Sequence, residues 1–168
     1  MARITSKKDT VGSNVGVRGF FRVQLNESGR IVGDSGWQEN QVTNDGINQY
    51  LVNWLLGDTA AGKSVTHAAL GTGTQPASNG TSLNGELTQA SNARKAVSTS
   101  VVSSRTAQFT AAFNSADSFV TATANISNIG LFNTSTTGAG TIFAGNTFAS
   151  SSVATNQSVS ATYQIRIS

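Results

Sequence analysis

Val159-Ser160-Ala161-Thr162-Tyr163-Gln164-Ile165-Arg166-Ile167 is the stretch that decides the fold. Its apolar residues Val159, Ala161, Tyr163, Ile165 and Ile167 occupy every second position, with Ser160, Thr162, Gln164 and Arg166 between them. A period of two sends alternate side chains to opposite faces of an extended chain, so this segment predicts a strand with one dry face. The same alternation stands near the other end. Val17, Gly19, Phe21, Val23 and Leu25 share one face there, and Arg18, Arg22 and Gln24 share the other. Asn26-Glu27-Ser28-Gly29 then reads as a turn, and Arg30 to Val32 begins a returning hairpin strand.

Between these two segments the pattern is strand, turn, strand. Val65 to Leu70 ends in Gly71-Thr72-Gly73, and Arg94 to Val102 and Arg105 to Phe113 flank a tight Ser103-Ser104 turn. Phe119 to Asn125, Ile129 to Phe132 and Thr141 to Phe148 complete the set, while Gln75 to Ala93 reads as a long polar loop. Many short strands with Gly-, Asn- and Ser-rich turns predict a mainly β chain, an antiparallel β-sandwich or jelly-roll-like barrel. One amphipathic α-helix interrupts it, at about residues 46–56. Ile47, Tyr50, Leu51, Trp54 and Leu55 recur at helical spacing, with Asn44 as N-cap and Gly57 as the C-terminal stop. That stripe is expected to plug the core. Residues 1–16, polar and without a sustained period, read as an extended N-terminal arm that becomes ordered only against a neighbour. Residues 17–168 form a single β-sandwich domain.

Composition narrows the function. The chain has 168 residues, enough to bury a core, and 38 of them are Leu, Ile, Val or Phe. Only 11% are charged, against about 25% in ordinary soluble domains. Ser, Thr and Asn supply 58 residues instead. Short hydroxyl and amide side chains lose little rotamer entropy on contact and present few charges to desolvate, which suits faces that become interfaces. From Ser118 to Ser168 the one charged side chain is Arg166, whereas residues 1–22 carry a local charge of +4. Arg3, Lys7 and Lys8 in the arm are therefore candidates for touching an acidic neighbour. No cluster of basic and aromatic residues of the nucleic-acid-binding kind accompanies them.

Catalytic and cofactor chemistry finds little support. There are no cysteines and one histidine, His67, which excludes disulfides, thiolate metal sites and multi-histidine centres. Seven of the eight acids lie between Asp9 and Glu86, without a close pair on one strand face to act as acid and base. Gly57-Asp58-Thr59-Ala60-Ala61-Gly62-Lys63-Ser64 fits the phosphate-loop pattern G-x-x-x-x-G-K-[ST]. That loop works when it follows a strand and opens a helix, and here a helix precedes it and a strand follows. His67 reads as a partly buried strand residue, since no nucleophile-elbow motif accompanies it. No apolar run reaches the ~18–20 residues of a membrane span. The expectation is a non-enzyme with no cofactor, no metal, no nucleic-acid partner and no membrane. Trp37, between Gly36 and Gln38, reads equally as a lid on the core or as an interface anchor.

Four segments, in order, then suggest a relationship. Gln41-Val42-Thr43-Asn44-Asp45-Gly46 resembles the N-x-V-T-N-x-G opening of small structural proteins of tailed bacteriophages. Ala68-Ala69-Leu70-Gly71-Thr72-Gly73-Thr74 with Pro76, followed by Ser82-Leu83-Asn84-Gly85-Glu86-Leu87, is similar to their A-L-G-T-G-T and L-x-x-E segments. Ile126-Ser127-Asn128-Ile129-Gly130-Leu131-Phe132-Asn133 resembles their I-x-E-I-G-L-F-N strand, with Asn128 where Glu is usual. The resemblance covers roughly residues 40–168. It implies a virion protein, assembled in the bacterial host cytoplasm, that binds itself as a homotrimer and binds the major capsid protein or tail proteins. A capsid decoration (cement) protein is the leading expectation, and a tail, baseplate or fibre-attachment component is the alternative. A sugar-binding sandwich and a nucleotide-binding enzyme rank below both. Asn128 and Phe132 join Arg3, Lys7, Lys8 and Trp37 as candidate interface residues.

Overall fold

The computed structural model describes residues 16–56, 64–88 and 93–168, apart from the side chain of Leu55. The arm through Val15 and the phosphate-loop-like stretch 57–63 lie outside the described residues. The chain is mainly β and antiparallel, its sheet nearly closed into a barrel. The alternation at both ends explains the frame. Strand β1 (Val17–Glu27) and the strand that contains Val159 pair along their whole lengths, from Val17 opposite Ile167 to Asn26 opposite Ser158. Their inward faces carry Phe21, Val23, Val159, Ala161, Tyr163 and Ile165, all buried.

From β1 the chain turns at Ser28 and Gly29, both with positive φ, into β2 (Arg30–Asp34). It bends at Ser35 to Trp37 and returns to the same edge of β1 as β3 (Gln38–Val42). β3 does two jobs. Gln38 to Asn40 pair with β1, whereas Gln41 and Val42 pair with β9 (Ile142–Val153), so this strand carries the sheet around one corner. A wide π-helical turn, Gly46–Leu51, then leads into the short α-helix α1, Val52–Leu55. Gly46 is required there, because a Cβ would meet the Phe143 carbonyl oxygen at 2.2 Å. The Gly46 N–H is taken by Thr43 Oγ1 at 2.9 Å, the task expected of Asn44.

β4 (His67–Gly71), β5 (Lys95–Ala96), β6 (Ser98–Ser103), β7 (Thr106–Phe113), β8 (Ala124–Phe132), β9 and β10 (Ser158–Ile167) complete the sheet. The order is β5-β4-β8-β9-β3-β1-β10-β7-β6, with β2 beside β1. β5 and β6 are consecutive pieces of one chain segment, broken at Val97, whose N–H bonds to Thr66 O at 2.9 Å. The two ends of the sheet order are thus neighbours in the sequence, and the second corner lies there. Inside, Tyr163 stacks on Phe21 at 5.6 Å and donates its hydroxyl to Ile129 O at 3.1 Å, tying β10 to β8. Burial pushes that phenol's pKa up.

Three expectations need correction. Phe119 to Asn125 and Ile129 to Phe132 are not two strands: one strand runs from Ala124 to Phe132 with a bulge near Ser127. Phe119 and Val120 are buried from a loop after a 3₁₀ turn, Ser115–Asp117, that left-handed Ser118 ends. β3 was not foreseen, because Gln38-Glu39-Asn40-Gln41 has little strand propensity and is held by its two neighbours. The helical stripe plugs the core only in part, through Tyr50 with Leu51 packed beside it. Tyr50 is buried, but Ile47 is 36% exposed and Trp54 67%.

Candidate interaction surfaces

Three of the four motif segments meet at one place, and the first, Gln41 to Gly46, packs on β9. Thr43, fully buried, donates its hydroxyl to Ile142 O at 2.7 Å and so locks the turn into the helical segment against β9. β4 pairs with β8 so that Leu70 faces Ile129 and Gly71 faces Asn128. The loop from Ser82 to Leu87 returns to the same place, with Glu86 bridged to Gly71 and Leu87 N–H on Leu70 O. Asn128 sits at the junction with no exposed surface. Its Nδ2 donates to Thr74 O at 3.1 Å and to Asn84 O at 2.7 Å. Two carbonyl oxygens call for a donor, which Asn provides and a carboxylate does not. That is the physical reason for Asn at this position.

Beside this junction lies an ion pair that composition alone did not suggest. Arg94, 4% exposed, holds Glu86 in a two-pronged bond, Nε–Oε1 at 2.5 Å and Nη2–Oε2 at 2.9 Å. Its Nη1 donates to Ala139 O and Thr134 O, and the guanidinium lies 3.7 Å over the Phe132 ring. All three of its nitrogens donate, as a buried charge requires. Arg94 therefore staples the β4–β5 connection to the β8–β9 loop.

The sequence-proposed interface residues separate accordingly. Asn128 and Phe132 have no exposed surface, so their interface role is withdrawn: one satisfies backbone carbonyls and the other carries the Arg94 guanidinium. Trp37 is 48% exposed at the bend between β2 and β3 and can serve as an anchor. Arg3, Lys7 and Lys8 lie outside the described residues. Arg18 and Arg22, which helped make the N-terminal region basic, are paired across strands with Glu39 and Asp34. The Arg22 hydrogen bond, with help from Gly36 N–H, holds the Asp34 carboxyl well below its usual range. His67 opens β4, with Nδ1 2.9 Å from Thr66 Oγ1, and burial, followed by the nearby Arg94 charge, lowers its pKa. Among the described residues no group of three His, Cys, Asp or Glu could hold a metal ion. No helix among them is long and apolar enough to cross a membrane. α1 precedes residues 57–63 and β4 follows them, the reverse of a phosphate loop's setting.

What sequence reasoning missed is an apolar groove of about 530 Å³ at one end of the barrel. Register places this end: Thr106 opposes Arg166 and Val17 opposes Ile167, so the β6–β7 turn and the end of β10 lie together. Val101, Ala107, Phe109, Ile165 and Ile167 form one wall, and Tyr50, Leu51 and Trp54 form the other. Val52, Trp54, Leu56, Val101 and Val102 are all 44% exposed or more. The signal was present in Ser98-Thr99-Ser100-Val101-Val102-Ser103, a strand without a charge on either face. No family model, curated protein or solved structure matches this chain.

Proposed function

We propose that this chain is a structural protein of a tailed-bacteriophage virion, and specifically a capsid decoration protein that associates with itself and with neighbouring capsid subunits. The observation that carries this reading is the surface. A charge-poor, hydroxyl-rich barrel leaves Trp37, Trp54, Leu56, Val101 and Val102 in the open. Exposed Trp and aliphatic residues on such a background are anchors for a protein partner. The motif resemblance supports the same reading, because three of its four segments meet at one junction of the fold and are not scattered matches. A non-catalytic role accords with the acids: Asp34, Glu39, Glu86 and Asp117 are each committed to an ion pair.

The likeness of Ile126 to Asn133 to a fibre-attachment strand favours a second reading, a tail or baseplate component. Copy number separates the two. Quantitative mass spectrometry of purified particles should give this chain in stoichiometric proportion to the major capsid protein. A few to tens of copies per particle would favour the tail, and absence from particles would overturn both readings. Light scattering on the free protein should find a symmetric oligomer, a trimer under the leading reading.

A further inference from the structure

The groove lies where the barrel stops short of closing. Lys95 and Ala96 pair with β4, and the Val97 N–H still reaches Thr66 O at 2.9 Å. From Ser98 onward the same segment pairs with β7 alone among the described residues. The outer edge of β6 therefore carries a row of backbone donors and acceptors that no described strand takes. Alternate β6 residues Thr99, Val101 and Ser103 line the groove, and Leu51 and Trp54 stand across the gap. Register continues the apolar wall inward, since Val101 opposes Ala107, which opposes Ile165. An unpaired edge beside a dry groove is the setting for strand addition. The incoming chain hydrogen-bonds to the edge and places every second side chain in the groove. Charge or proline commonly blunts such edges, and Ser98-Thr99-Ser100-Val101-Val102-Ser103 has neither.

Charge says which kind of strand fits. Arg105, just past the end of β6, is the one charged residue among those described that line the groove. Arg18, Arg22, Arg94 and Lys95 each hold a carboxylate of this chain. Arg105 is exposed and has no carboxylate within ion-pair distance among the described residues. A second copy offering its own β6 would bring no acid to that point, because residues 98–103 contain none. Every described strand pairing in this sheet is antiparallel. A strand added in the same sense runs opposite to β6 and brings its first residues to Arg105. We infer that the outer edge of β6 takes up an extended segment of another protein, with an acidic residue at its start and apolar side chains at every second position after it. The inference rests on the groove and not on the virion reading.

The full chain and a fluorescein-labelled peptide, acetyl-Glu-Thr-Val-Thr-Val-Thr-Val, provide the test. Fluorescence anisotropy should show saturable binding as protein is raised from micromolar to millimolar concentration. Replacing the peptide's Glu by Lys should weaken binding several-fold, and so should Arg105→Glu in the protein. Val101→Asp, at an exposed position, should keep the thermal midpoint and abolish binding. Amide deuterium uptake across residues 98–103 should fall when the peptide is bound, which burial of the apolar wall alone would not produce. The proposal is overturned by absence of saturable binding, by equal affinity for the Lys peptide, or by binding that leaves uptake in β6 unchanged. Conversion of an oligomer to monomers by Val101→Asp would assign the groove to a second copy, overturning this inference while leaving the virion reading intact.

Discussion

Arg94 shows how one side chain can bear on a whole corner of the molecule. Its guanidinium is shielded from water and satisfied by Glu86, two loop carbonyls and the Phe132 ring. Removing one partner strands the other charge in the interior, so Arg94→Met is expected to cost about 3–5 kcal/mol in urea denaturation. Adding Glu86→Leu should recover much of that loss, because the stranded carboxylate goes with it. His67 gives a pH signature with a definite sign. Burial lowers its pKa below the unfolded value near 6.5, so over the interval between the two the unfolded chain binds more protons. Stability should then be full above about pH 6.5 and decline as pH falls toward the folded pKa. An NMR titration should place the imidazole midpoint below 6.5, and His67→Gln should remove this part of the decline. Neither residue's environment was legible in the sequence. The partners of Arg94 lie 8, 40 and 45 positions away, and no local pattern encodes such meetings.

At the scale of elements, legibility followed burial geometry. β1 and β10 were readable because each buries one face only, which writes itself as alternation. β9 and β8 were readable in their centres and misjudged at their ends, where Ala, Ser and Asn leave no periodic mark. The helical segment carried a true periodicity that pointed at the wrong target. Its stripe meets the groove and solvent, and Tyr50 alone of the described stripe is fully engaged, edge-on to Phe143 at 5.2 Å with its hydroxyl on Thr141 O. Two substitutions separate these roles. Tyr50→Ala should cost about 3–5 kcal/mol as a large-to-small change in the core. Trp54→Ala, at a side chain two-thirds exposed, should cost under ~1 kcal/mol in equilibrium denaturation. The 3–5 kcal/mol that a core reading assigns to Trp54 is thus withdrawn.

For the molecule as a whole, the fold class was legible and its closure was not. Alternating segments and turns imply an antiparallel β protein, but not that Gln38 to Val42 would round one corner or that a break at Val97 would round the other. The surface behaved similarly. A shortage of charge was plain from composition, whereas the gathering of apolar side chains at a groove needed the register of β6, β7 and β10.

The pairing of β1 with β10 also has a meaning in time. Val17 opposes Ile167, so neither layer of the barrel is complete until residues 150 positions apart have met. During synthesis β1 must wait, its inward Phe21 and Val23 uncovered, until β10 has emerged from the ribosome. Refolding of the finished chain should accordingly be slow for its size, on milliseconds to seconds, since pairings so distant in sequence meet their chain-entropy cost before any contact rewards it. Stopped-flow fluorescence after dilution from urea would show this, and a microsecond phase carrying the full amplitude would contradict it.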